Sequence, residues 1–254
     1  MILEYFRPKD LDEAFHLLNR KEPPLVIPLG GGTYISHGEK TSVAVVDLQD
    51  LPLNQISSQG NIFKVGATVT LQQLALHPQT PPALVEALRH EATLHIRNQA
   101  TVCGSLVTAD GRSTFATALL ALDTRLQIEP GAKKISLGDW LPQRSTRNRR
   151  ELITEIDFSM QATLKFEMIG RSPADRPFVC VAIGEWPSGR TRVALGGLGD
   201  APILAMDGPE ADGAEAAVEN AFMNASDAFA SGEYRSHAAQ VIVRRLLSPG
   251  DKKE

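Results

Sequence analysis

What the chain has little of narrows its chemistry first. It holds two cysteines in 254 residues, Cys103 and Cys180, with no Cys-x-x-Cys pair and no cysteine–histidine spacing. Iron–sulfur clusters are usually held by four thiolates, so this chain does not supply such a set by itself. A structural zinc centre is disfavoured on the same count, and both cysteines read as buried thiols. No apolar run approaches the roughly 18 residues that a membrane span needs. The opening Met1-Ile2-Leu3-Glu4 places an acid where a secretory leader would carry basic and then apolar residues. A cytoplasmic protein with no membrane association is the expectation. Formal net charge is −4, so there is no overall basic footprint for nucleic acid. Neither the dinucleotide pattern Gly-x-Gly-x-x-Gly nor a phosphate loop ending in Gly-Lys-Ser/Thr occurs, which leaves a stand-alone NAD-binding dehydrogenase weakly supported.

What is there suffices for a sizeable core: 43% of residues are hydrophobic and 22% charged, compatible with one large domain or two modest ones. Asp10 and Glu13 have capping-box spacing before Leu11, Ala14, Phe15 and Leu18, which predicts a helix ending near Asn19. Strand candidates run over Leu25–Leu29, Val43–Leu48, Ile62–Gly66 and Leu126–Ile128. Thr70 and Gln73 cap a short helix through Leu76, and longer helices are expected over Ala83–Arg89 and Ser113–Asp123. From Lys133 to Arg150 six basic residues face Asp139 alone, and polar 143–148 reads as an exposed loop. It is a solvated segment or a docking surface for an acidic partner, and it lacks the interleaved aromatics of a nucleic-acid groove. A boundary just after it gives domains over 1–150 and 151–254. In the second, Pro187-Ser188-Gly189 between Phe178–Trp186 and Thr191–Leu195 signals a hairpin. Ala214–Phe229 and Arg235–Leu247 read as closing helices. Mixed elements without regular βαβ alternation point to an α+β fold.

Two segments could hold an anion. Gly30-Gly31-Gly32-Thr33 follows an apolar strand; glycines let successive N–H groups turn toward one point, and Thr33 adds a hydroxyl. The plainer reading is a tight strand-to-helix turn. Ile96-Arg97-Asn98-Gln99-Ala100-Thr101-Val102-Cys103-Gly104-Ser105-Leu106 reads as a loop of small and hydroxyl side chains, or simply as one stiffened by local polar contacts. Together, two such loops could hold both halves of one diphosphate. No base is paired in sequence with Cys103, so it reads as a small residue fitting beneath that group. His37 and His95 read as surface or capping residues.

These residues resemble a known family. Leu29-Gly30-Gly31-Gly32-Thr33 is similar to the first flavin loop of the FAD-binding medium subunits of molybdenum hydroxylases, the xanthine dehydrogenase and aerobic carbon monoxide dehydrogenase type. Ile96 to Ser105, running on into Leu119-Leu120-Ala121-Leu122-Asp123, resembles the second. Tyr5-Phe6-Arg7-Pro8, Glu151–Ile156, Leu195–Gly199 with Pro202, and Tyr234–His237 with Val243-Arg244-Arg245 match further stretches in order. The resemblance implies a two-lobed α+β FAD-binding domain, then a C-terminal domain of antiparallel sheet plus helices. It implies FAD across the two loops, with the N–H groups of Gly31, Gly32, Cys103 and Gly104 among the donors and Thr33 and Thr101 adding hydroxyls. Leu29, Gly30, Tyr34, Val102, Ser105, Thr114, Ile153 and Glu167 complete the implied set. It further implies a large molybdenum–pterin subunit and a small two-iron–two-sulfur subunit as partners, and NAD or a quinone as electron acceptor. The flavin then carries the chemistry, and no side chain acts as an acid or base. The chain departs from the family at Ser105, where an asparagine is common, at Thr114, where an aspartate is common, and at Cys103-Gly104 in place of Gly-Gly. Glu167 and Met168 stand where many members have a lysine near the flavin. An inward-pointing Glu167 would disfavour negative charge on a reduced flavin. These departures motivate a second reading, a flavin-deficient scaffold subunit.

Overall fold

The computed structural model describes residues 1–35, 42–144, 150–172 and 175–248. His37 and part of the basic stretch lie outside the described residues. The first lobe contains β1 (Ile2–Phe6), α1 (Leu11–Leu18), β2 (Leu25–Leu29) and β3 (Val43–Asp47), with the strands parallel in the order β1-β3-β2. Helix α1 forms where the capping spacing places it. The Asp10 side chain accepts from the Glu13 N–H at 2.8 Å, and the Glu13 carboxylate accepts from the Lys9 N–H at 2.9 Å. Its buried Ala14 and Leu18 join Val26, Ala44 and Val46 in the core.

The second lobe carries β4 (Ile56–Gln59), β5 (Ile62–Gly66), α2 (Leu71–Leu76), α3 (Pro82–Glu91), α4 (Leu94–Arg97), α5 (Val102–Thr108), α6 (Thr114–Ala121), β6 (Arg125–Glu129), β7 (Lys133–Ser136), α7 (Leu137–Trp140) and β8 (Leu152–Ser159). Its sheet is antiparallel in the order β4-β5-β8-β6-β7. Strand β8, which the sequence reading assigns to the second domain, is therefore the middle strand of this sheet. Ile156 and Phe158 are buried there, and the Phe158 ring lies 5.3 Å from that of Phe63 on β5. A polar loop before a strand marks a chain excursion, which need not be a domain boundary.

The last part is β9 (Thr163–Ile169), β10 (Val179–Glu185), β11 (Thr191–Gly196), β12 (Ile203–Gly208), α8 (Ala214–Phe222) and α9 (Gly232–Leu247). The strands are antiparallel in the order β12-β11-β10-β9, and Gly189 at φ +93° turns the β10–β11 hairpin. Both faces of this sheet are covered. Cys180, Ala182 and Ala194 belong to the large core shared with the second lobe, while Val181, Ile183, Val193 and Leu195 pack with α8 and α9. The architecture is α+β, as expected. Helix α8 stops at Phe222, short of the expected Phe229. The Asp227 carboxylate accepts from the Phe229 and Ala230 N–H groups, and Ser226 Oγ accepts from Gly232 N–H, which closes a turn in place of further helix.

Between the two halves the backbones meet directly. Gly111 N–H donates to Gly199 O at 2.8 Å and Gly197 N–H to Gly111 O at 2.6 Å. A Cβ on Gly111 would lie 1.7 Å from the Leu198 carbonyl oxygen. Arg192, 4% exposed, adds an ion pair across the seam to Asp123 at 3.0 Å while also pairing with Asp207 of its own sheet at 2.6 Å. Gly111→Ala is expected to lower the unfolding free energy by about 3 kcal/mol through overpacking at this seam. Gly60→Ala, at φ +59° with nothing within 4 Å of its Cβ, carries only the left-handed backbone cost of about 1–2 kcal/mol. Urea unfolding of the two variants checks the difference.

Candidate cofactor-binding cleft

The site begins where β2 ends. Gly30 and Gly31 leave the strand and run against the segment between α4 and α5. A Cβ on Gly31 would sit 1.7 Å from the Gln99 carbonyl oxygen and 3.1 Å from the Ala100 nitrogen. A Cβ on Gly30 would sit 2.7 Å from Thr101 Oγ1. Two backbones therefore approach more closely than any side chain allows. Beneath them the segment after β5 ties the second loop down: Val102 N–H donates to Val69 O at 2.8 Å and Leu71 N–H to Ala100 O at 2.9 Å. The result is a cleft of about 520 Å³.

Its walls are polar and, among the described residues, uncharged. Gln49 and Asn54 come from the chain after β3, where Asp47 accepts from the Tyr5 hydroxyl and from Gln49 N–H, fixing the turn. Thr68, Thr70 and Gln73 form another wall, and Asn98, Gln99 and Thr101 face them. Thr70 and Gln73 make the expected capping box at the start of α2. Arg97 is held away by Gln72 Oε1 at 3.0 Å and Ala92 O at 2.7 Å. Thr68 Oγ1 is buried and, among the described residues, has no partner.

Of the residues singled out from sequence, Gly30, Gly31 and Thr101 meet in this cleft. Gly32 turns away at φ +72° beside Leu29, Thr33 continues the turn, and Tyr34 is 65% exposed. The second segment is not the extended loop expected: α4 and α5 take up most of it. Thr101 Oγ1 caps α5 by accepting from Gly104 N–H at 3.2 Å, and Cys103 N–H donates to Ala67 O at 3.3 Å. Those two N–H groups, expected as anion donors, are engaged within the chain. Val102 and Cys103 pack in the core, and burial pushes the Cys103 thiol far above its ordinary value. Ser105 is half-buried on α5, and Ile153 is buried on β8. Glu167 pairs with Arg245 of α9 at 2.8 Å, on the face of β9 opposite Leu164 and Phe166. It does not reach the cleft. Asn98 and Gln99 come from the second candidate segment; Gln49, Asn54 and Thr68 carry no motif, and only their assembly marks them.

A family model described as "FAD binding domain in molybdopterin dehydrogenase" matches residues 1–158, ending inside β8. The chain is 30% identical over 253 residues to YgfM of Escherichia coli K12, described as uncharacterized, covering 98% of this chain and 96% of that protein. It is 30% identical over 169 residues to the nicotinate dehydrogenase FAD-subunit of Eubacterium barkeri, covering 60% and 57% of the two chains. CO dehydrogenase from Oligotropha carboxidovorans has a chain of the same fold, at TM-score 0.82 and 23% identity over 96% of this chain and 95% of that one. No helix among the described residues is long and apolar enough to cross a membrane. No group of three or more His, Cys, Asp or Glu among them is placed to hold a metal ion.

Thr114 meets a carboxyl group that arrives from another helix. Glu91, at the end of α3, reaches the start of α6. It accepts from Ser113 Oγ at 3.0 Å, Thr114 Oγ1 at 3.1 Å and Phe115 N–H at 2.9 Å. Thr114 is fully buried and is also within 2.7 Å of Ala87 O. Burial pushes the Glu91 carboxyl up, while the Phe115, Ser113 and Thr114 donors and nearby Arg176 pull the other way. A raised carboxyl favours the folded state most at low pH, and that contribution is lost as pH climbs from the unfolded carboxyl range through the raised one. Glu91→Ala, which strands these donors, is expected to cost about 2–3 kcal/mol. Glu91→Gln keeps an acceptor, costs less than the alanine variant, and removes this group's slope of stability against acidic pH. Melting temperatures from pH 4 to 8 (roughly the carboxyl window and above) check both.

Proposed function

The chain belongs to the family of FAD-binding domains in molybdopterin dehydrogenases, and from that membership we propose that it binds FAD in the cleft between its two loops, as the flavoprotein subunit of a molybdenum hydroxylase-type dehydrogenase. It is an oxidoreductase component. The observation that carries the site is the contact of Gly30 and Gly31 with Gln99 and Thr101, which brings both family-like loops to one cavity. The residues present suit the group. Gly31 holds the two loops in contact where a Cβ would collide with Gln99 O, and the unpartnered Thr68 hydroxyl offers a donor.

In this reading the chain binds and orients. The amides of Gln49, Asn54, Asn98 and Gln99 offer donors to the oxygen-rich middle of the cofactor, and Thr101 braces Gly30 and Gly104. The chemistry that bound FAD supplies is electron transfer, from the iron–sulfur clusters of a small subunit to an acceptor such as NAD or a quinone. A large molybdenum–pterin subunit is the other proposed partner of this heteromeric assembly. The chain's own two cysteines are buried with thiols pushed up by burial, which supports leaving the clusters to a partner. We place the seam between the FAD-binding and C-terminal parts after Ser159 rather than at 150, because β8 is the middle strand of the first part's sheet. The scaffold reading rests on Ser105, Thr114 and Glu167. Thr114 and Glu167 lie away from the cleft, so the geometry does not favour it.

Full-length chain mixed with FAD and freed of excess should keep flavin absorbance bands. Gly31→Ala forces the two loops apart and should weaken FAD at least about tenfold. With no charged side chain on the described walls, wild-type affinity should change little between low and high salt. Folded chain that keeps no flavin even with its partner subunits would sink the flavoprotein reading in favour of a scaffold.

A further inference from the structure

The rest of the cleft leaves one hydroxyl to account for. Three threonines line it. Thr70 Oγ1 accepts from Gln73 N–H at 3.1 Å, and Thr101 Oγ1 accepts from Gly104 N–H at 3.2 Å. Thr68 differs from both. Its backbone N–H is satisfied by Leu53 O at 3.1 Å, but its Oγ1 has no partner among the described residues although the residue is only 8% exposed. Buried hydroxyls are normally paired, and an unpaired one weighs against the folded state. Valine has nearly the same shape and would carry no such burden, so packing alone does not explain a threonine here.

Resting on the FAD reading above, we propose that Thr68 is a cofactor-binding residue whose hydroxyl donates to an oxygen of the ribityl–diphosphate portion of FAD. Position and stiffness both suit this role. The neighbours on either side are pinned, Ala67 N–H to Thr154 O at 2.9 Å and Val69 N–H to Gly66 O at 3.2 Å. Val69 O and Ala67 O in turn accept from Val102 and Cys103 of the second loop. The β-branched side chain adds a restricted χ1, so the hydroxyl is held in place before any ligand arrives. The described walls offer no cation, which leaves neutral donors to meet the charge on a diphosphate. Burial without a partner is not enough by itself. Thr124 Oγ1 is also unpartnered among the described residues, but Thr124 is wholly buried and is not in the wall of this cleft. Thr68 combines the missing partner with a wall of the cavity.

The test is calorimetric titration of FAD into the full chain after flavin removal, for wild type, Thr68→Val and Thr68→Ser, with melting temperatures taken without flavin. Thr68→Val should weaken FAD about five- to twentyfold, and Thr68→Ser should stay within about threefold of wild type because it keeps the donor. Without flavin the valine variant should melt at or above the wild-type temperature, which separates loss of a ligand contact from loss of fold. Wild-type FAD affinity in Thr68→Val overturns the proposal while leaving the flavin cleft standing. No FAD binding by wild type overturns the flavin reading of the cleft and this assignment with it.

Discussion

The Gly31 backbone and the Gln99–Ala100 peptide occupy space that a single Cβ would claim, and much of the cleft depends on that approach. It brings the end of a parallel sheet in the first lobe onto the entrance of α5 in the second, so the cavity forms between lobes and belongs to neither alone. The close approach needs a firm floor. That floor is the chain from Gly66 to Leu71, whose backbone groups pair with the second loop and also with Leu53, Gln55 and Thr154. A cleft walled in this way is preformed, so a ligand loses little to reorganisation on entry.

Local signals were legible wherever the physics is local. The capping spacings at Asp10–Glu13 and Thr70–Gln73, the glycine turn after Leu29 and the Pro187-Ser188-Gly189 hairpin all act within a few residues, and the structure shows each of them. The second segment folds as helix because its small residues suit a helix start as well as a loop, and only the Thr101 cap and the pairing of Val102 with Val69 decide between them. Helix α8 ends earlier than its periodicity predicts for a related reason: the Asp227 turn that follows it competes with helix through side-chain acceptors that periodicity does not register. Strand β8 looked like the start of a new domain because its partners, β5 and β6, lie far back in sequence. Thr68 and Glu91 were invisible for a deeper reason. Each matters through what surrounds it in three dimensions, and neither sits in a pattern.

The C-terminal part is not an appendage. Helix α6 is buried at every position, because the second lobe covers it on one side and the β9–β12 sheet on the other. The turn before α6 presents Gly111 to Gly197 and Gly199, while Asp123 after it is clasped by Arg190 and Arg192. Both ends of one helix are thus pinned to the β9–β12 part. A division after Ser159 is a division of sheets, and the large hydrophobic core runs across it.

Glu91 shows how one chemical requirement can be met from a different place in the chain. The start of α6 exposes unsatisfied N–H groups and a positive dipole end, which a carboxylate stabilises. A residue on α6 itself is one source, and here the carboxylate crosses from α3 while Thr114 becomes the donor that receives it. The exchange also locks α3 to α6 beneath the β9–β12 sheet. The start of α6 thus has a carboxyl partner without an acidic residue of its own. Thr114 therefore bears on how the core is tied together and Glu167 on a surface ion pair to α9, and the neutral walls of the cleft are left to bear on the ligand.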